Sequence, residues 1–448
     1  MPKNNSVNKA IHDKYLEARK KVRTLFAQIS QALAIAFQYL RAVPSWGWAA
    51  IIIVFGIYVG SLLEEKHAFL DFRYKAHQWT QKFGSKLKGD LYDHNTVVVL
   101  IDDDDFWKGS YQGRRPVDKK SLADLIRKLD SYNPRVIALD FDLRSPIPDG
   151  SLVEYPQYVK DSKEFADVIK DVSSRRRVIL PKTINYDGSW TKESDRYDGQ
   201  DLGTARFGYI VLSYDYRQIP VSVELKDGSR IDSFCQAIVR AFDLTGNALQ
   251  FDRQDHSLTY AGPYLYEEEF EQYSAGEVLN PDSSTHNELL DKLLGKIVIV
   301  GGAWSRSAYE RGERIDERDT PAGKMPAVFL HANWVESVLQ QRTARPVKKW
   351  IAVSLEVILG FLGYYVFTRN MRWYRKGAYV VGVGLFWFIV AYISAQNLGL
   401  FFDPITPTVI SLGKAIYEEI AEWKKEANKY HQLQKLTEVK KEVADAAA

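Results

Sequence analysis

Residues 96–105 read TVVVLIDDDD, and the prediction of the fold rests on this stretch. Its first six residues form an unbroken apolar, β-branched run, which is typical of a strand buried on both faces of a parallel sheet. The amphipathic stretch 121–129 predicts a helix that begins at an N-cap Ser121, and residues 135–142 (RVIALDFD) predict a second strand. Strand, helix and strand in this order predict a βαβ unit with two parallel strands.

The alternation of strand and helix patterns continues along the chain. Further predicted strands lie at 177–180, 208–212, 219–223 and 295–302, and further helices at 164–172, 233–241 and 325–339. The polar segments 185–205 and 304–320 are interpreted as loops. The sequence therefore predicts an α/β domain with a mostly parallel sheet over residues 64–349.

Composition excludes several classes of protein. Lys and Arg number 60 against 57 Asp and Glu, so the chain lacks the basic excess of a nucleic-acid-binding protein. With 46% hydrophobic and 26% charged residues it has the composition of a folded chain. A single cysteine, Cys235, excludes both an intrachain disulfide and a zinc cluster built on cysteines.

Four apolar runs predict transmembrane helices, one before the α/β domain and three after it. They lie at 46–63, 350–367, 378–395 and 398–413. A buried core helix is the alternative for the first and third runs. The fourth run is interrupted by Asp403, Pro404 and Pro407, so a re-entrant or interfacial segment is its alternative.

The charges that flank these runs predict the topology. Residues 1–45 are strongly basic, and the link 368–377 carries four basic residues and no acid. The positive-inside rule then places both termini in the cytoplasm of a bacterial inner membrane and residues 64–349 on the extracytoplasmic side. Residues 1–45 fit an amphipathic helix on the inner leaflet or on a partner. Residues 414–448 fit a cytoplasmic helix, either solvated or part of a short coiled coil.

Several motifs, taken in order, resemble the CHASE2 sensor domain family. They are IDDDDF (101–106), RRP (114–116), GKIVIVGGAW (295–304) and DTPAGKMPAVFLHANWVESVL (319–339), followed by the closing spans. The resemblance covers about residues 46–413 and implies a bacterial extracytoplasmic sensory module. In this family the last span usually leads into a cytoplasmic kinase or nucleotide cyclase. Only about 35 residues follow here, so we expect any signal to act through another protein.

Acidic residues follow two of the predicted strands, whose ends stand side by side if the predicted βαβ unit is correct. Asp102 and Asp103 end the first strand, Asp140 and Asp142 end the second, and Arg115 follows soon after the first group. Ligands of open parallel sheets bind at the carboxyl ends of the strands, so these side chains are candidates for a charge-paired ligand pocket. The alternative is that the acids cap the following turns and pair with arginine.

Three further residues are candidates. Asp319 and His331 belong to the late block that the resemblance marks as characteristic, and the physical alternatives are a turn fixed by proline and a satisfied core histidine. Glu356 lies inside the second apolar run, where a charge is costly unless it is paired. It is a candidate for coupling within the membrane, unless it lies near the outer interface.

The resulting hypothesis is a membrane protein that senses an extracytoplasmic ligand and relays a signal. Its expected partners are the lipid bilayer, an unidentified cytoplasmic or membrane protein and a second copy of the chain. We expect no cofactor, metal, nucleic acid or catalytic activity. One alternative is a structural or effector subunit, including one that disrupts membranes. Another is an extracytoplasmic phosphohydrolase, since Asp140-Phe-Asp142 resembles the start of haloacid-dehalogenase-type phosphatases, although Arg144 stands where a hydroxyl residue is expected.

Overall fold

The structure is a computed structural model of the chain. The described residues are 58, 71, 73–79, 94–113, 117–141, 143, 156–183, 200–210, 216–219, 221–226, 228–243, 259–262, 264–307, 314–348, 350–351, 353–354, 357–358, 373–394 and 400–401. The chain divides into two compact units. One comprises Leu63–Ala352 and Gly384–Ile405, and the other comprises Met1–Leu62, Val353–Val383 and Thr406–Ala448.

The elements alternate along the chain as an α/β domain requires. The strands are β1 (Thr96–Ile101), β2 (Val136–Asp140), β3 (Arg177–Lys182), β4 (Arg206–Tyr209), β5 (Gln218–Ile219), β6 (Ser222–Glu224), β7 (Arg230–Asp232), β8 (Thr259–Tyr260), β9 (Glu271–Ser274), β10 (Ile297–Gly302), β11 (Glu317–Thr320), β12 (Gly323–Pro326), β13 (Arg345–Pro346) and β14 (Leu400–Phe401). The helices are α1 (Lys119–Ser131), α2 (Pro156–Arg175), α3 (Phe234–Phe242), α4 (Ala275–Leu279), α5 (Ser283–Leu293), α6 (Ala327–Leu339) and α7 (Trp373–Ile393).

Six strands form one fully parallel sheet in the order β4-β3-β2-β10-β1-β9. This arrangement confirms the predicted α/β class and its parallel sheet. It corrects the expectation that the ends of β1 and β2 are side by side, because β10 lies between these two strands. The three central strands, β2, β10 and β1, are apolar and buried along almost their whole length. This pattern is expected for strands that are covered by helices on both faces of a sheet.

Helices cover both faces of the sheet, so the domain has three layers with two cores. On one face, side chains from α1, α2, α4 and α5 pack on residues such as Val99 and Leu139. On the other face, side chains from α3 and α6 pack on residues such as Val98 and Ala138. The alternation of neighbouring strand residues between the two cores follows the two-residue period of a strand.

The local structure differs from the prediction at several places, three of which follow. Helix α1 begins after Asp118, whose carboxylate accepts a hydrogen bond from the Ser121 N–H at 2.9 Å, so Ser121 is not the N-cap. The predicted loop 304–320 ends in a strand, since β11 pairs with β12 in an antiparallel hairpin. The edge strand β9 pairs with β1 although its sequence, EQYS, is polar.

Most of the predicted membrane runs lie outside the described residues. Helix α7 overlaps the third run, 378–395, and the first described residues of the fourth run, Leu400 and Phe401, form β14. Within the described ranges, no helix combines the length and the apolar content needed to cross a bilayer.

Candidate functional site

The central feature of the site is a buried pair formed by Asp140 and His331. Asp140 is the last residue of β2 and pairs in register with Gly301 of β10, whereas His331 lies on α6, which covers this face of the sheet. Asp140 Oδ1 lies 3.8 Å from His331 Nε2, and the two side chains are 6% and 3% exposed. The structure thus brings together two residues that the sequence analysis named separately.

Burial controls the protonation of both side chains, because a low-dielectric interior disfavours charge. Burial, as the largest cause, and nearby Asp316 together raise the pKa of Asp140 to about 8, against the opposing effect of Arg318. Burial also lowers the pKa of His331 to about 3. At neutral pH the pair is therefore a neutral carboxylic acid beside a neutral imidazole.

The environment of His331 leaves its ring nitrogens without hydrogen bonds. Neither Nδ1 nor Nε2 has a hydrogen-bond partner within the described structure. The ring packs edge-on against Phe234, with centroids 5.1 Å apart, and against Trp334, with centroids 5.5 Å apart. The alternative interpretation of His331 as a core histidine fits its burial, but the described structure supplies no hydrogen bond that would satisfy the ring.

A charged segment lies close enough to influence the pair. Asp316 and Arg318 form an ion pair, and both act electrostatically on Asp140. Burial raises the pKa of Asp316, and Arg318 opposes this shift. Asp319 is the next residue on β11, and its side chain is exposed. The site thus includes Asp316, which precedes β11, and Arg318 on β11, neither of which was a candidate from the sequence.

Asp102 and Asp103 organise the carboxyl end of β1 through hydrogen bonds to the backbone. Asp102 Oδ1 accepts from the N–H of Asp105 at 2.9 Å and so caps the π-helical turn Asp104–Lys108. Asp103 accepts from the N–H of Ser305 at 2.6 Å and from its hydroxyl at 2.8 Å. The alternative interpretation, in which the acids cap turns, describes Asp102. Asp103 instead joins β1 to the loop that follows β10.

Asp105 is a perturbed residue that the sequence analysis did not distinguish within the run of four aspartates. Burial, as the largest cause, and the neighbouring charge of Asp102 together raise its pKa to about 6, while backbone N–H groups that include Gly276 oppose the shift. A Cβ on Gly276 would stand 2.6 Å from Asp105 Oδ1, so a larger residue there would require the Asp105 carboxylate to shift. The sequence signal was the acidic run itself, which does not show which member faces a helix.

Aromatic side chains pack against one another beyond the carboxyl ends of β1, β2 and β10. Trp304 stacks on Phe106 with centroids 4.0 Å apart, and Phe141 lies 6.4 Å from the same indole. A Cβ on Gly302 would stand 2.4 Å from the Trp304 ring, and a Cβ on Gly301 would stand 2.5 Å from Val328. Gly301 and Gly302, at the end of β10, therefore allow close packing against α6 and the Trp304 ring.

Three predicted site residues, Arg115, Asp142 and Glu356, lie outside the described residues. The charge-paired pocket that Arg115 and Asp142 were expected to form thus stays a prediction, as does the coupling role of Glu356. In the part of the chain that the structure describes, no group of three or more His, Cys, Asp or Glu side chains is placed to hold a metal ion.

Comparison with known families agrees with the motifs and the fold. The family model described as the CHASE2 domain matches residues 25–367, which is more than half of the chain. The chain belongs to the CHASE2 family. No curated protein and no solved structure gave a match. The CHASE2 match includes the whole α/β domain and the site, and it ends with the second apolar run, so it is shorter than the resemblance predicted from the motifs.

Proposed function

We propose that the chain is a sensory protein anchored in the bacterial inner membrane, with its α/β domain on the extracytoplasmic side. The CHASE2 match over residues 25–367 carries this proposal, because CHASE2 is a family of sensory domains. Four apolar runs and the basic segments beside them support the membrane topology, with both termini in the cytoplasm. The proposal includes no catalytic step.

The ligand would bind at the carboxyl edge of the sheet, next to Asp140 and His331. The His331 nitrogens lack hydrogen bonds within the described structure, and a buried polar atom without a partner costs on the order of 1–3 kcal/mol. A small polar ligand that both donates and accepts hydrogen bonds would recover that cost. The aromatic rings of Phe234 and Trp334 beside the imidazole favour a ligand with an apolar portion.

Relay of the signal requires two arrangements of the protein that differ in their affinity for the ligand. A tenfold difference in affinity corresponds to about 1.4 kcal/mol, which is enough to shift a balanced equilibrium strongly. The ligand site lies where α6 meets the ends of β2 and β10, and α6 ends at Leu339, shortly before the second apolar run. We propose that α6 transmits the change between the two arrangements toward the membrane. A separate partner protein then responds to this change.

The test is recovery of the partner from native membranes with the full chain and with a chain that lacks residues 414–448. We expect a protein that co-purifies with the full chain and is lost with the truncated one, while both chains unfold at the same temperature. Asp140→Asn should alter the amount recovered, and the exposed Asp319→Asn should not. Identical sets of proteins from all four chains would contradict the proposal of a relay through the tail.

A further inference from the structure

The opposite edge of the sheet, where β2 and β3 begin, carries a groove of about 470 Å³. Four arginines line it: Arg135, Arg175, Arg176 and Arg177. Ligand sites commonly occupy 300–1,000 Å³, so the groove is large enough for a small ligand. It lies at the amino ends of the strands and shares no residue with the Asp140–His331 site.

Two of these arginines are neutralised by neighbouring carboxylates. Arg175 pairs with Asp130 at 2.9 Å and with Asp171 at 2.7 Å. Arg176 pairs with Asp130 at 3.1 Å. Arg175 is the last residue of α2 and Arg176 follows it, a position where positive charge also stabilises the negative end of the helix dipole. These two residues therefore have a structural explanation that needs no ligand.

Arg135 and Arg177 have no such explanation. Neither side chain makes an ion pair or a hydrogen bond with any residue in the described part of the chain, and the Arg135 guanidinium lies 4.9 Å from the centre of the Phe242 ring. Arg206 on β4 adds a third cation without a carboxylate partner among the described residues. Partial burial lowers the pKa of Arg177, and the positive charges of Arg135 and Arg206 lower it further.

We propose that this groove binds a phosphate-bearing group through the Arg135 and Arg177 guanidinium groups. A guanidinium presents paired N–H donors that match two oxygens of a phosphate. A doubly charged phosphate neutralises two cations at once, whereas a single carboxylate neutralises one. The groove is separate from the ligand site of the proposed sensory function. The phosphate site and the sensory function can therefore be tested independently of each other.

The test is calorimetric titration of the purified full chain, in a neutral detergent, with pyrophosphate. Wild type should bind, and its affinity should fall as salt is raised. Arg177→Gln should weaken binding roughly tenfold, because it removes one charge-assisted contact, and Arg135→Gln together with Arg177→Gln should abolish it. Arg127→Gln is the matched control, since Arg127 lies on α1 outside the groove and pairs with Glu164 at 3.0 Å. It should bind as wild type does.

A second arm distinguishes a lipid headgroup from a free phosphate compound. Short-chain phosphatidylglycerol, with phosphatidylcholine as its control, is added before the titration. If phosphatidylglycerol competes with pyrophosphate and phosphatidylcholine does not, the phosphate group belongs to a lipid headgroup. If phosphatidylglycerol does not compete, the phosphate group belongs to a free phosphate compound. Either result supports the site. It would be overturned if wild type bound neither pyrophosphate nor phosphatidylglycerol, or if Arg177→Gln bound pyrophosphate as tightly as Arg127→Gln.

Discussion

Ionisable side chains at the two edges of the sheet differ in their burial and in their charge. At the carboxyl edge, Asp140 and His331 are almost fully buried, and burial holds both in their neutral forms at neutral pH. At the amino edge, Arg135 is exposed and Arg177 is half-buried, and neither has a carboxylate partner in the described structure. The carboxyl edge should therefore respond to pH and to close packing, and the amino edge to salt and to anions.

The largest expected effect concerns glycine at each edge. Gly301→Ala places a Cβ 2.5 Å from the stiff side chain of Val328, and we expect it to lower the free energy of unfolding by about 2–3 kcal/mol. Gly295, at the amino edge, has open space around it and a φ of +70°. Gly295→Ala should cost about 1–2 kcal/mol, from backbone strain alone. Chemical denaturation of the purified chain measures both, and equal losses would contradict the difference in packing.

The pH dependence of stability is the second test. The folded pKa of Asp140, about 8, lies above its ordinary value of 3.8, so its contribution to stability falls from about pH 4 upward and levels off above pH 8. The folded pKa of His331, about 3, lies below 6.5, so its contribution rises with pH up to 6.5. The two oppose each other below pH 6.5. Between pH 6.5 and 8 only the fall from Asp140 remains, roughly 2 kcal/mol.

Asp140→Asn removes this titration and should flatten the stability profile between pH 6.5 and 8. Asp319→Asn changes an exposed carboxylate on β11 and is the matched control. Thermal unfolding across that pH range should therefore show the fall in wild type and in Asp319→Asn, and not in Asp140→Asn. A fall of the same size in all three chains would assign it to other groups.

A smaller effect is expected for serine hydroxyls at the two edges. The Ser305 hydroxyl donates to Asp103 at 2.8 Å in a partly buried position, so Ser305→Ala should cost about 1 kcal/mol. The Ser174 hydroxyl donates to the carbonyl of Asp171 in an exposed position, and Ser174→Ala should change stability by less than about 0.5 kcal/mol. Denaturant midpoints measured side by side would reveal whether the order is reversed.

The smallest effect is electrostatic. Arg177→Gln removes repulsion from Arg135 and Arg206, and we expect it to raise stability by about a few tenths of a kcal/mol at low salt. The gain should disappear near 1 M salt, where the screening length is about 3 Å. Arg127→Gln loses its pairing with Glu164 and should show no such gain. A benefit of Arg177→Gln that is independent of salt would argue against repulsion as the cause.

The strands that are buried on both faces of the sheet were predictable from the sequence. β1 and β10 are apolar along their whole length, and a strand enclosed by two helical layers needs that pattern. Strand order was not predictable, because parallel strands with the same apolar pattern are interchangeable until they pack. The position of β10 between β1 and β2 is therefore not indicated by any pattern in the sequence. The edge strand β9 was missed since it pairs through its backbone while its side chains stay polar.

The site was predictable as a set of candidates and not as an arrangement. Asp140 and His331 are 191 positions apart in the sequence, and only the packing of α6 on the sheet brings them within 3.8 Å. Arg318 and Asp316 were missed since they lie in a polar segment interpreted as a loop. The arginine groove was missed because its residues start different strands, and only the alignment of those strands in the sheet places them together.

The central claim is that the α/β domain with both edges lies outside the inner membrane while the two chain ends lie in the cytoplasm. Reporter domains that are active on one side only, fused after residue 200 and after residue 440 of the full chain, test it most directly. The account predicts extracytoplasmic activity at 200 and cytoplasmic activity at 440. Activity of both fusions on the same side would contradict it.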